Sequence, residues 1–395
     1  MNGLKCPKCF LIHPENTTQC YCGYNFKNGS LTPESDISSN VVNVDTRTLK
    51  FHGKGYDLFS IFIVNILLII ATLGIYYFWG KVKIKRYLYS QLEFDGDRFT
   101  FHGKGRELFI GGIIGLFLLG ITVGIQHFLE TSEDKYLIAG SIILFLFMFS
   151  LIPMIFVLSR RYYLSRSSWR GIRFSFRGKI SSFYRVVFRG FFLTMVTFGF
   201  YTPFFRNRIK HFFIENSYFG TQKFSYSGNG NEVFKQYAKA FFLYVPVTAL
   251  VIFLVISIIG VLLGLVIGKE LKSIAIVVAT VCTYLSIYVV FYWFEFWFTK
   301  YVWNNTSFMN AKFRLDMKFL PFLKLKTGNL FIYILTLGLG WPWATVRDNR
   351  FLAERLVLEG DVDFESIKQE FMEASATGES VADIFDIGAG LDIGI

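Results

Sequence analysis

The pentapeptide FHGKG occurs twice in this 395-residue chain, at residues 51–55 and again at residues 101–105. Looser copies of its surroundings recur along the rest of the chain, between long apolar stretches. A repeated segment constrains the fold strongly, because each copy is expected to adopt the same local structure and to pack against its neighbours. The sequence therefore predicts an architecture built from internal repeats.

Apolar residues make up 53% of the chain and aromatic residues 19%, far more than a soluble domain of this size requires. Windows of about 20 apolar residues, long enough to cross a bilayer, are centred on residues 56–79, 108–129, 136–158, 240–268 and 273–298. Two weaker windows, within 183–205 and 319–343, contain charged residues. Since the first apolar run starts only near residue 56, we expect no cleavable signal peptide. The composition predicts a multi-pass membrane protein.

Three of these windows end in a shared Thr-(Leu/Phe)-Gly element, at residues 72–74, 197–199 and 336–338. Each element is followed by aromatic residues and then by a basic patch. Short stretches of alternating apolar and polar residues around a Gly turn come next, as in residues 92–101. This alternation predicts small β-hairpins. Amphipathic loops lying on lipid headgroups are the alternative interpretation.

The long linkers between the apolar windows are basic, and the linker 159–185 contains no acidic residue. The positive-inside rule places such linkers in the cytoplasm. The windows at 56–79, 183–205 and 319–343 would then each connect two cytoplasmic linkers, so these three windows cannot all cross the membrane. We therefore favour two transmembrane helical hairpins, 107–158 and 238–298, with three re-entrant elements, over seven ordinary spans. This interpretation predicts that the Thr-(Leu/Phe)-Gly turns face inward, because irregular backbone at membrane depth must be buried or line a wet cavity.

The N-terminal cysteines Cys6, Cys9, Cys20 and Cys22 resemble a zinc ribbon, in which four thiolates bind one structural zinc ion. The second pair is separated by one residue instead of two, so His13 becomes a substitute ligand. A reduced loop without metal and a disulfide-bonded loop are the alternatives. Since thiolate ligation needs a reducing compartment, a zinc-bound N terminus is expected to be cytoplasmic.

The predicted fold class is a mostly α, polytopic membrane protein with transmembrane helical hairpins, re-entrant helices, small cytoplasmic β-hairpins and an N-terminal zinc ribbon. The predicted domains are a zinc-ribbon-like module at 1–27, a flexible linker at 28–47, a repeated membrane domain at 48–365 and an acidic tail at 366–395.

Two groups of polar residues are candidates for function. Ionisable and polar groups at membrane depth often mark functional sites, although ion pairing, snorkelling to headgroups or bonding to helix carbonyls would also explain them. The predicted membrane polar site consists of Glu295, Arg189, Asn65, Thr72, Thr197 and Thr336. The cations predicted to bind anionic lipid headgroups are Lys81, Lys83, Lys85, Arg86, Arg160, Arg161, Arg206 and Arg208.

Several motifs resemble one known family. They are the FHGKG copies, the run TLGIYYFWGKVKIKRY, the segment LEFDGDRFTFHGKG and the tail SVADIFDIG at residues 380–388. Together they resemble the YjgN family of bacterial inner-membrane proteins, over residues 48–395. Because that family is of unknown function, the resemblance implies a bacterial inner-membrane location and supplies no catalytic residues.

No P-loop, HExxH or GxSxG motif occurs in the sequence, so we expect a non-enzymatic protein. Helix breaks at membrane depth favour a transporter-like or channel-like protein with a polar or lipid-accessible cavity. A scaffold that binds anionic lipids and partner proteins is the main alternative, and a lipid-modifying enzyme is a third. The expected partners are anionic lipids and a protein bound by the ribbon or the acidic tail. Nucleic acid is not expected, since the aromatic residues beside the cations are typical of interfacial belts.

Overall fold

The computed structural model describes residues 4–5, 12–13, 24–25, 30–31, 46–131, 134–244, 246, 249–250, 253–254, 257 and 270–367. The chain divides into two compact parts, Met1–Asp45 and Thr46–Ile395. In the first part, β1 (Leu4–Lys5) pairs with β2 (Ile12–His13), and β3 (Tyr24–Asn25) pairs with β4 (Ser30–Leu31). Cys6, Cys9, Cys20 and Cys22 lie outside the described residues.

The second part consists of five successive units, each with a first strand, a first helix, a return helix and a second strand. Unit I contains β5 (Thr46–Phe51), α1 (Gly55–Ala71), α2 (Tyr77–Ser90) and β6 (Leu92–Phe94). Unit II contains β7 (Asp97–Phe101), α3 (Gly105–Glu130), α4 (Asp134–Ser165) and β8 (Ser167–Trp169). Unit III contains β9 (Ile172–Phe176), α5 (Ile180–Val196), α6 (Thr202–Glu215) and β10 (Ser217–Phe219).

Units IV and V complete the series. Unit IV contains β11 (Gln222–Tyr226), α7 (Gly230–Lys239) with a π-helical turn at Ala240–Tyr244, α8 (Glu270–Asn304) and β12 (Thr306–Phe308). Unit V contains β13 (Ala311–Leu315), α9 (Phe319–Leu335), α10 (Trp341–Ala353) and β14 (Leu356–Glu359).

The ten strands of units I to V form one closed antiparallel barrel. The two strands that flank each helical hairpin pair with each other, as in Phe101 opposite Ser167 and Tyr226 opposite Thr306. The last strand, β14, pairs with β5, the first, and places Val357 opposite Thr48. The helices of every unit therefore leave the barrel and return to it at the same rim.

The prediction of separate small β-hairpins attached to a mostly helical protein is wrong, because all these strands belong to one closed barrel. The zinc ribbon in that fold class is not evident among the described residues either. The Gly turns correctly indicated strands, but they are local signals. Pairing across a helical hairpin joins strands that are up to about 80 residues apart in the chain, and periodicity in a single sequence carries no information on such pairing.

Large apolar side chains point into the barrel and alternate with outward-facing polar residues, as along β6. Leu92 and Phe94 are buried on β6, while Glu93 between them faces Lys50 and Arg98 on the neighbouring strands. Aromatic rings dominate the interior, and the rings of Phe174 and Phe219 are 4.8 Å apart. The buried aromatic side chains of the strands are Phe51, Phe94, Phe101, Trp169, Phe176, Phe219, Phe224, Tyr226 and Phe308.

Hydrogen bonds link each return helix to the loop that follows the first strand of the next unit. Arg86 donates to the carbonyl of Gly103 at 3.2 Å and Arg161 to that of Gly178 at 3.1 Å. The remaining three bonds are Asn207 to Gly228, Lys300 to Met317, and Arg350 to Gly53. The last bond joins unit V to unit I and completes the ring. These bonds, of which all but the one from Asn207 are charge-assisted, fix the helical hairpins on the barrel rim.

Packing at this rim explains why the FHGKG motif has glycine two residues after phenylalanine. A Cβ atom on Gly53 would lie 2.5 Å from the ring of Phe51, and one on Gly103 would lie 2.5 Å from the ring of Phe101. Any side chain at the glycine would therefore overlap the aromatic ring two residues earlier. Unit V has Leu315 and Met317 at these two places. Because leucine is smaller than phenylalanine, the buried side chain of Met317 fits where units I and II have glycine.

The Thr-(Leu/Phe)-Gly elements reverse the chain between the two helices of units I, III and V. Leu73 and Gly74 both have positive φ angles, 51° and 94°, and the Thr72 hydroxyl donates to the Leu68 carbonyl and accepts from the Tyr76 N–H. Phe198 and Leu337, with the glycines after them, repeat this conformation. Groups within the turn thus form the hydrogen bonds that much of its backbone N–H and C=O requires.

The prediction that these turns face inward is wrong. Leu73, Phe198 and Leu337 are 95%, 94% and 93% exposed at the tips of their hairpins. The reason is that hydrogen bonds within the turn, such as that from Gly74 N–H to the Ile69 carbonyl at 2.8 Å, replace the contacts that irregular backbone would otherwise need from surrounding protein.

A compensating pair of substitutions tests the packing behind FHGKG. We expect Gly53→Met alone to lower the stability of the protein by about 3 kcal/mol, because the side chain overlaps the Phe51 ring. Adding Phe51→Leu copies the pair found in unit V and should recover about 1–2 kcal/mol of that loss. The measurement is thermal or denaturant unfolding in detergent. A double variant less stable than Gly53→Met would contradict this account.

The left-handed turn is tested by Gly74→Ala. A Cβ atom at φ 94° should cost about 1–2 kcal/mol. Gly120→Ala is the matched control, because Gly120 lies within α3 and an added Cβ would meet nothing within 4 Å. Thermal unfolding should show a loss for Gly74→Ala and none for the control; equal melting temperatures would show that the turn does not require glycine.

Candidate functional site

An elongated cavity of about 770 Å³ runs from the helices of unit II into the barrel. On α4 its lining begins at Phe145 and ends at Leu164, a length of about 29 Å at 1.5 Å per helical residue. On the barrel side the lining includes Phe94, Trp169 and Phe224. The volume is typical of a small-molecule site, and the shape is that of a long, apolar channel.

The outer half of the cavity lies between helices that are suited to a membrane. Within the described residues, three helical segments are long and apolar enough, by length and composition, to cross a bilayer: Gly105–His127, Ile138–Ser165 and Thr280–Asn304. The first two contribute Gly115 on α3 and Phe149 on α4 to the cavity wall. Phe145 and Phe156 line the same wall yet expose 68% and 57% of their surface. The outer half is therefore open at its side.

The inner half of the cavity ends inside the barrel against residues 361–367, which follow β14. Gly360 turns the chain with a φ of 129°, after which Val362 and Ile367 are buried. The ring of Phe364 lies 5.0 Å from Trp169 and 5.9 Å from Phe94. Arg47 stacks on Phe364 at 4.9 Å and pairs with Asp95 at 3.8 Å. We call residues 361–367 the plug.

Three cations line the cavity where its two halves meet. They are Lys85 on α2, Arg160 on α4 and Lys210 on α6. Lys85 also lies over the ring of Tyr163, with its Nζ atom 3.3 Å from the ring centroid. The hydroxyl-bearing residues Tyr89, Ser159 and Tyr163 line the same region. The cavity thus has a cationic collar, defined as Lys85, Arg160 and Lys210, between two apolar halves.

The polar residues predicted as a membrane site are not brought together by the structure. The threonines cap the hairpin turns: Thr197 repeats the hydrogen bonds of Thr72, and Thr336 does so as well. Asn65 is buried and donates to the Gly80 carbonyl at 3.2 Å. Arg189 is exposed on α5. These residues shape helical hairpins and do not line the cavity.

Glu295, the acid of that predicted site, belongs to an ion pair. Its carboxylate accepts from Arg206 at 2.7 Å, and the Arg206 guanidinium also stacks on Phe298 at 4.7 Å. A comparable pair joins Lys326 and Asp348 at 3.1 Å between the helices of unit V. Both pairs explain how charges are accommodated in otherwise apolar hairpins.

The cations predicted to bind headgroups are placed in four different ways, one of which is the ion pair of Arg206 with Glu295. Arg86 and Arg161 bond to glycine carbonyls of the barrel rim, as described above. Lys83 and Arg208 are exposed, with Lys83 near the Tyr76 ring at 5.3 Å, and Lys81 is partly buried. Lys85 and Arg160 line the cavity. Two of the predicted cations, Lys85 and Arg160, therefore belong to the collar, and the others do not.

His102 and Asp348 are among the titratable groups outside the candidate spans whose pKa values are shifted. Burial lowers the pKa of His102, and the nearby charges of Arg173, Arg166 and Arg86 lower it further. Its ring lies 2.8 Å from the Ser168 hydroxyl. Burial raises the pKa of Asp348, although Lys326 opposes that shift. No group of three metal-binding side chains is found among the residues that the structure describes. Asp348 pairs with Lys326 and accepts a hydrogen bond from Asn329.

The importance of Lys210, Trp169 and Phe364 for the cavity was missed from the sequence. The sequence nevertheless contains a constant spacing that relates the three cations. Lys85, Arg160 and Lys210 each stand seven residues before the second strand of their units, which begin at Leu92, Ser167 and Ser217. For Trp169 and Phe364 no local signal exists, because both reach the cavity only through closure of the barrel.

The plug is tested by Phe364→Ala. We expect a loss of about 2–3 kcal/mol, somewhat less than for a fully buried phenylalanine, because the ring is half-buried among Trp169, Phe94 and Phe308. Glu365→Ala changes the exposed neighbouring residue and is the control. Unfolding in detergent measures both; equal stability of the two variants would mean that the plug does not support the barrel.

Comparisons with known proteins agree with the membrane character of the helices. Residues 46–384 match the family described as "Bacterial protein of unknown function (DUF898)". "Inner membrane protein YjgN" of Escherichia coli (strain K12) is 48% identical over 61 residues, and its namesake of Salmonella typhimurium is 46% identical over 52 residues. These matches span 15% and 13% of both chains. No solved structure matches the chain.

Proposed function

The chain belongs to the DUF898 family of bacterial proteins, and we propose that it is an inner-membrane, transporter-like protein that takes the apolar chains of a membrane lipid into its cavity. Its relatives are named inner membrane proteins, and three of its helices are suited to crossing a bilayer. The proposal assigns it a binding and transfer role without chemical conversion of the lipid.

The proposed topology follows from the barrel. Every hairpin leaves and re-enters at one rim, so the barrel lies on one side of the membrane. The hairpin of unit II crosses the bilayer twice, and α8 of unit IV contributes a further span at Thr280–Asn304. The first helices of units I, III and V have 17 residues each, about 25 Å, and their apolar tips at Leu73, Phe198 and Leu337 enter the bilayer without a second aqueous end. By the positive-inside rule, the basic linkers favour a cytoplasmic position of the barrel.

The observation that carries the proposal is the continuity of the cavity. Its wall contains Phe149 and Gly115 in the candidate spans as well as Trp169 and Phe364 in the barrel. A lipid chain entering beside Phe145 and Phe156 would find apolar surface in the outer half of the cavity and again beyond the collar. Burying hydrocarbon in this wall is favourable by about 25 cal/mol per Å² relative to water. Relative to the bilayer, however, burial of the chain is nearly neutral, as a reversible carrier requires.

The test is to fill the outer half of the cavity. Gly115→Trp should displace bound lipid, whereas Gly120→Trp, five residues along the same helix, faces open space and is the control. The protein is purified in a mild detergent, and its lipid is quantified by mass spectrometry after delipidation and incubation with vesicles. We expect the wild type and the control to retain lipid and Gly115→Trp to lose at least about tenfold in affinity. No lipid on the wild type would refute the proposal.

Transfer is examined separately, with fluorescently labelled phospholipid in proteoliposomes. The proposal predicts accelerated movement of the label between leaflets or to acceptor vesicles, and inhibition by Gly115→Trp. The scaffold alternative rests on a different observation, the exposed apolar tips of Leu73, Phe198 and Leu337. Vesicle clustering without any movement of labelled lipid, unaffected by Gly115→Trp, would favour the scaffold.

A further inference from the structure

We propose that Phe364 forms the floor of the cavity and sets the length of the lipid chain that the cavity accepts. This inference rests on the proposed function and adds a specificity-determining residue to it. The terminal methyl group of a bound acyl chain lies against the Phe364 ring, and the rest of the chain extends toward the open side of the cavity between α3 and α4.

The cavity reaches far into the barrel. Residues of all ten strands line it, from Leu49 on β5 to Leu358 on β14. A ten-stranded barrel is wider than the eight-stranded barrels whose interiors are filled by side chains or hold one small ligand. Its interior therefore has room for a hydrocarbon chain beside its own inward-facing side chains, and something must close its far end.

Phe364 lies at the end of the barrel farthest from the membrane helices. Its ring is 5.9 Å from the ring of Phe94, 5.0 Å from Trp169 and 6.3 Å from Phe308. Each of these three neighbours is the last residue of the second strand of its unit, directly before the turn into the next unit. The helices leave and return at the opposite rim, so Phe364 closes the end that the helices leave open.

The plug holds Phe364 in a fixed position. Val362 and Ile367, on either side of it in the sequence, are buried. The Asp363 carboxylate accepts a hydrogen bond from the Glu365 N–H at 3.1 Å, which bonds the plug to itself. A ring supported by buried neighbours and local hydrogen bonds acts as a rigid stop for a ligand.

Part of the Phe364 ring faces the cavity. Its side chain is only half-buried, although aromatic rings surround it, and it contributes to the cavity wall. Among the described residues that line the cavity, Phe364 is the one that belongs to the plug. Truncating this ring would therefore lengthen the cavity at its far end and leave the side walls unchanged.

Close packing converts this position into selection by chain length. Moving a methylene group from the bilayer into an apolar wall is nearly neutral, so chains that end before Phe364 bind with similar affinity. A longer chain must displace the ring or leave methylene groups outside the cavity. Overfilling a close-packed interior is unfavourable, and the longest chains are therefore bound least.

The experiment measures which chains the protein selects from mixed vesicles. The vesicles contain equal amounts of dimyristoleoyl, dipalmitoleoyl, dioleoyl and dieicosenoyl phosphatidylglycerol, which share one headgroup and form fluid bilayers. Delipidated, full-length protein in detergent is incubated with them and purified again, and its bound lipids are quantified by mass spectrometry.

The variants are matched for position and for loss of a ring. Phe364→Ala removes the floor, and Phe364→Leu is a milder change that keeps the test decisive if the alanine variant does not fold. Glu365→Ala changes the exposed neighbour in the plug. Phe322→Ala removes a buried ring that is not part of the cavity lining.

We expect the wild type and both controls to retain the same lipids, with the longest chains retained least. The ratio of the longest to the shortest bound chain should rise at least about fivefold in Phe364→Ala and by a smaller factor in Phe364→Leu. If the wild type binds lipid but neither Phe364 variant changes this ratio, the inference is overturned and the proposed function stands. The same shift in either control would also overturn it, and a wild type without lipid would refute both proposals.

Discussion

Closure of the barrel is the constraint on which the rest of the structure depends. Because the two strands that flank each hairpin pair antiparallel and β14 closes the ring on β5, the chain between flanking strands must begin and end at the same rim. A helical hairpin satisfies this requirement whether its first helix has 17 residues or is long enough to cross a bilayer. The short and long hairpins therefore have one structural origin, and a conflict over an odd number of membrane crossings does not arise.

The sequence motifs are consequences of crowding at that rim. Five return helices meet five loops within one ring, where Phe51 and Phe101 cover glycines and arginines bond to the loop carbonyls. The basic residues thus have a role inside the protein as well as at the lipid surface. Some of the positive charge that suggested headgroup binding instead holds the units together, while Lys85 and Arg160 line the cavity.

Local features of the fold were predictable from sequence, and its closure was not. Hydropathy located α3, α4 and α8, and the Gly turns indicated strands near residues 92–101. The Thr-(Leu/Phe)-Gly elements marked chain reversals, although their tips are exposed because the turn bonds to itself. Pairing of β5 with β14 joins residues about 300 positions apart, which no local pattern reveals. Only part of the candidate site, Lys85 and Arg160, could be predicted from the sequence, because the cavity itself depends on that closure.

The most direct test of the account is a disulfide across the closing pair of strands. Thr48 and Val357 are paired residues of β5 and β14, and antiparallel partners have Cα atoms about 4.5–5.5 Å apart, within the range of a disulfide. With the five native cysteines replaced, Thr48→Cys and Val357→Cys should oxidise to an intramolecular bond and shift the mobility of the unreduced chain. The control pair, Thr48→Cys with Ser225→Cys four strands away, should not. Failure of the first pair to form, or equal formation of both, would contradict a closed barrel.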